Sequence, residues 1–274
     1  MTEERNIMEN IDTFINSFIS MYSQEYKIPE SLKCKIQIVD NMKESTEAFM
    51  KKTNRKYIAD ETDYNGTTCI PNSIDDEIEI FISKKLIEEY RTNNWQFMCT
   101  LFHELTHAID FYNYCNEYFQ GNYDDMINRS DAYGFHMWTE FNAKYKSYLL
   151  YSRFVRKCIE DSNLPNVVPT DGEVGMQNEY VTDSIKNNRS DKAVYDIIQY
   201  LGRYYCWEID YPDDFIDGKL FPDIFKQNLE SVISDLYCLL KQTTDSITYY
   251  NDVARTIRLL MGKLVMIEHE GGIL

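Results

Sequence analysis

The chain has 274 residues, 43% apolar and 14% aromatic, enough for one large core or a core with a helical extension and too apolar for a disordered chain. Its formal net charge of −17 speaks against binding a nucleic-acid backbone or an anionic membrane surface; it suits a cationic peptide partner and serves solubility equally well. Seven scattered cysteines, odd in number and without a CxxC pair, read as reduced core residues of an intracellular protein, not as a disulfide frame or a thiolate metal site.

The first six residues are acidic and lead into an amphipathic stretch instead of an apolar signal region, and no window approaches a membrane span, so the expectation is a soluble, cytoplasmic protein. Met8, Ile11, Phe14, Ile15, Phe18, Ile19 and Tyr22 repeat every three or four positions and predict a helix over residues 8–26, ended by Pro29. Cys34 to Asp40 alternates with a period near two and predicts a strand; the charged segment from Lys43 to Lys56 reads as partly helical. After the turn signal Asn65-Gly66, Thr67 to Ile70 predicts a second short strand. Glu77 to Ile82 is the clearest strand, with Ile78, Ile80 and Ile82 on one face and Glu77, Glu79 and Phe81 on the other; its acidic face predicts an edge or half-exposed position.

A helix buried on more than one side is predicted from about Thr92–Asn94 to Tyr114, apolar at Trp95, Met98, Leu101, Leu105, Ala108 and Ile109. It contains His103-Glu104-Leu105-Thr106-His107, an HExxH motif. Residues four apart on a helix lie one above the other, so His103 and His107 can offer imidazole nitrogens to one metal ion. Glu104 projects about 100° round from His103, close enough to take a proton from water that the ion activates. Three of the four histidines, His103, His107 and His136, fall in this one region.

From Cys115 to Ser130 the polar, turn-rich sequence predicts a loop. A second long helix is predicted from Ser130 or Asp131 to about Cys158. Residues 161–190, with Pro165, Pro169 and Asp171-Gly172, read as a long connection holding one short helix, and three helices follow: about Asp191–Trp207, Pro222–Gln242 and Ser246–Glu268.

The motif and its flanks, Thr100 three before the first histidine, uncharged Leu105 and Thr106 between the histidines, and Ile109 two after the second, resemble the zinc metallopeptidases of the zincin superfamily. Over residues 65–150 the order of strand, motif helix and second helix resembles the gluzincin branch. The resemblance implies an α+β, predominantly helical fold. Its zincin-like core over residues 1–160 has a small mixed or antiparallel sheet, and a helical region over 161–274 completes the cleft. It implies one Zn2+ per chain, a peptide or protein substrate and a general base at Glu104. The strand Glu77–Ile82 would lie beside the metal and pair with substrate backbone.

In that branch the third ligand is a Glu on a downstream helix followed by a small residue. Glu140, with Ala143 one turn on, matches, and a carboxylate among Phe135, Trp138 and Phe141 is costly to bury without a cation. His136, one turn before Glu140, and Asp110, three after His107, are alternatives as ligand or as a group orienting one, and His136 is also a candidate for stabilising the oxyanion. The NExxSD form is absent, and Asp110 and Asn113 stand where the metzincin extension has Gly and His. For the oxyanion donor, the segment Gln199–Tyr205 offers Tyr200, Arg203 and Tyr204. Small HExxH proteins of this kind also resemble peptidases carried by phages and mobile elements. A peptide-binding or regulatory protein on the same scaffold is the alternative, although a pure binder has no need of Glu104.

Overall fold

The computed structural model describes residues 2–55, 65–90, 96–129, 132–161, 171–188, 190–215, 220–242 and 246–269. The expected helix starts at Thr92–Asn94 and at Ser130 or Asp131, and the apolar position Trp95, lie outside the described residues. The fold is α+β and predominantly helical, with one three-stranded mixed sheet. No described helix is long and apolar enough to cross a membrane. The chain divides into two compact units, Met1–Tyr123 and Asp124–Leu274, where the sequence reading groups residues 1–160.

In the first unit, α1 (Thr2–Glu25) buries the stripe Ile15, Phe18 and Tyr22. The sheet follows: β1 (Cys34–Val39), β2 (Gly66–Cys69) and β3 (Ile78–Ser83), in the order β1-β3-β2, with β1 parallel and β2 antiparallel to β3. Helix α2 (Met42–Lys52), capped by the Asn41 side chain, packs on one face, where Met42 and Phe49 join Cys69 and Phe81. Helices α3 (Lys84–Tyr90) and α4 (Gln96–Tyr118) complete the unit.

The strand expected at an edge or half-exposed position, β3, is the central one of the three. Its isoleucines alternate as read, and all three are buried. Of its acidic face, Glu77 is exposed just ahead of the strand, whereas Glu79 is half-buried and accepts hydrogen bonds from Lys52 Nζ at 2.8 Å and Gln37 Nε2 at 2.7 Å, so at Glu79 paired charge under α2 took the place of exposure. β2 pairs only with β3 among the described strands and holds one edge of the sheet, β1 the other.

The expected loop from Cys115 is also partly helical. α4 continues to Tyr118 and α5 covers Tyr123–Ile127, because Tyr114, Cys115, Phe119, Tyr123 and Met126 are buried while Asn116 and Glu117 face solvent.

The second unit is helical: α6 (Ala132–Asp161), α7 (Asp171–Asn187), α8 (Ser190–Asp210), a π-helical stretch (Phe225–Leu229) continuing into α9 (Glu230–Leu240), and α10 (Ile247–His269). α7 corrects the reading of 161–190: it has 17 residues, because Val174, Val181 and Ile185 make a buried helical stripe. Buried Asp196 of α8 accepts from Ser184 Oγ of α7 at 2.5 Å and from Lys192 Nζ at 2.6 Å, so its charge is answered where it is buried. α6 packs along α8 and α10.

Candidate metal centre

The motif sits in the most enclosed part of α4, where Leu101, Phe102, Leu105, Thr106 and Ala108 are all buried. An aromatic seam with α1 holds the back of the helix: Phe18 and Tyr22 meet the Phe102 ring at 6.0 and 5.8 Å. The Thr106 hydroxyl, between the two histidines, donates to Phe102 O at 2.7 Å and has no second proton, so the Tyr22 hydroxyl 2.8 Å away donates to it. A rigid helix results, which fixes where the imidazoles point.

His103 and His107 stand as the four-residue spacing requires, with Nε2 atoms 3.0 Å apart and ring centroids 4.5 Å apart. His107 is 6% exposed and Glu104 7%. The donors His103, His107 and Glu140 each offer one ligand atom, and the three atoms lie within 4.8 Å of one another. Two imidazoles and one carboxylate leave a fourth position open. The group can hold a metal ion. Neither Asp110, buried on α4, nor His136, half-buried on α6, belongs to it.

Two side chains without a role in the sequence reading hold the carboxylates. Thr68 of β2 pairs with Ile80 and so faces α4; its Oγ1 lies 2.8 Å from Glu104 Oε2 and 2.9 Å from Glu104 O, and its single proton serves the charged acceptor better. β2 comes this near because of Gly66, where a Cβ would stand 2.6 Å from Thr100 Cγ2 and 2.9 Å from Glu104 Cγ. On α8, Gln199 Nε2 donates to Glu140 Oε2 at 2.7 Å. No local pattern marks either residue, since the partners are 36 and 59 positions apart.

Cys69, beside Thr68 on the opposite face of β2, is buried with Met42, Phe49 and Phe81; burial, and after it the charge of Glu104, pushes its thiol up to about 12.

Of the predicted oxyanion donors, Tyr200 and Tyr204 sit in the core of the second unit, and Arg203 is half-buried there. Tyr200 is 4% exposed and donates to Asn178 Oδ1 at 2.7 Å; burial and then Tyr204 raise its phenol well above the usual range. Tyr204 is fully buried, accepts from Leu220 N at 3.2 Å and packs on Phe221 at 4.5 Å. Both serve as core aromatics. The Arg203 guanidinium lies over the Tyr148 ring at 4.5 Å, and its Nε is buried without a hydrogen-bond partner among the described residues.

No family model matches the chain, and no curated protein or solved structure is significantly similar to it.

Proposed function

We propose that the protein is a zinc-dependent endopeptidase of gluzincin type, acting in the cytoplasm, with His103, His107 and Glu140 as ligands and Glu104 as general base. The observation that carries this reading is the convergence of the three ligand atoms within 4.8 Å, with buried Glu104 next in sequence to His103 on the same turn. Two nitrogens and an oxygen are donors that zinc takes readily, and His2Glu is a known catalytic set for it.

An ion held there would act as a Lewis acid, bringing the pKa of water toward neutrality and polarising the scissile carbonyl. Glu104 accepts the proton of the attacking water and delivers it to the leaving amine. Thr68 keeps that carboxylate directed during the transfer. β2 replaces β3 as the strand available to an extended peptide, since it is the sheet edge that lies on the motif helix.

The test is turnover of dye-labelled casein and a mixed peptide library by the zinc-loaded chain and by Glu104→Gln. The reading predicts hydrolysis by wild type and a loss of about 10²–10⁴-fold in the variant, with zinc retained. Identical behaviour of the two in every substrate assay would leave a metal-holding binding protein instead.

A further inference from the structure

We propose that Gln199 is the positioning residue of the metal centre, holding Glu140 in its ligating rotamer without neutralising it. This rests on the reading of His103, His107 and Glu140 as the metal-binding group. The contact is unambiguous in sense: a carboxylate only accepts, so the amide NH2 of Gln199 faces Glu140 Oε2, at 2.7 Å. The terminal torsion of a glutamate is broad, so the orientation of its carboxylate depends on the groups that hydrogen-bond it. The Gln199 donor on Oε2 narrows that range.

The backbone is arranged for this reach. Three residues after Gln199, at Gly202, α8 comes so close to α6 that a Cβ would stand 2.8 Å from Phe141 O and 2.9 Å from Lys144 Cβ. One turn further on, Phe141 and Tyr205 stack with centroids 5.8 Å apart, which fixes the rotation of the two helices about their axes. Gln199 is thereby set opposite Glu140.

The chemistry of the donor matters as much as its position. A lysine or arginine at 199 would also hydrogen-bond the carboxylate, but it would cancel the charge that attracts a cation. A neutral amide orients and leaves the charge intact. Ligating carboxylates held in this way typically lose about 10–100-fold in metal affinity when the supporting group is removed.

The experiment titrates zinc alone, against a chromophoric chelator, into full-length wild type, Gln199→Met and Gln199→Lys, with thermal melting of each metal-free protein alongside. Methionine keeps the shape and removes the donor, and the expected loss of zinc affinity is about 10–100-fold. Lysine keeps a donor and adds the charge; it should bind zinc more weakly still, while its metal-free form melts at or above the wild-type temperature. That inverse relation would not arise if Gln199 served only to pack two helices. Zinc affinity equal to wild type in Gln199→Met, or in Gln199→Lys should the methionine variant not fold, overturns the proposal. Wild type that binds no zinc would instead remove the metal-centre reading, and the proposal with it.

Discussion

Glu104 and Glu140 are the two carboxylates on which the account turns, and each is held by an uncharged donor from another element. His103, Glu104 and His107 were legible in the sequence because helical spacing is local; Thr68 and Gln199 were not, because only the folded chain brings them to their partners. The segment Gln199–Tyr205 drew attention for its donors, and it is the first residue, not the tyrosines, that touches a candidate ligand. A hydrogen bond to a charged group contributes about 1.5–3 kcal/mol. Thr68→Val should therefore reduce kcat on casein by about tenfold or more, with KM and zinc content unchanged, and Thr68→Ser should restore it. Equal kcat in the valine variant would show that Glu104 is oriented without Thr68.

At the scale of elements, periodicity found most of the helices and all three strands, because each depends on which face is buried. Strand order was not legible. An acidic face means solvent for an edge strand and a paired carboxylate for a covered one, and which applies to β3 depends on Lys52 and Gln37 arriving from elsewhere. α7 was obscured in a similar way, by Asp171-Gly172, a turn signal that the helix absorbs in its first turn. Helix contacts made through glycine are sensitive to a single methyl. Gly202→Ala places a Cβ against backbone of α6 and should cost about 1–3 kcal/mol. Chemical denaturation would show this as a lower midpoint at unchanged slope, and an unchanged midpoint would mean that α8 can withdraw freely.

Across the whole molecule, buried thiols tie stability to alkaline pH. Burial first, and then Glu77, Glu104 and Asp210 respectively, raise Cys34, Cys69 and Cys206 from 9.0 to about 12. Folded thiols thus keep protons that the unfolded chain loses above pH 9, so their contribution is intact below that pH and declines toward pH 12. The melting temperature should fall through this window, less steeply in Cys34→Ala and Cys206→Ala; a fall of the same steepness in both would assign it to other groups.

The most direct test of the central claim is the metal content of the purified chain, measured for wild type, His103→Ala and Glu140→Ala. The expected result is one zinc per wild-type chain and its loss in both variants, since catalytic zinc sites use three protein ligands and each variant removes one. Zinc kept in Glu140→Ala would contradict the third ligand and return that role to His136 or Asp110. No metal in wild type, even after reconstitution with zinc, would contradict the centre itself.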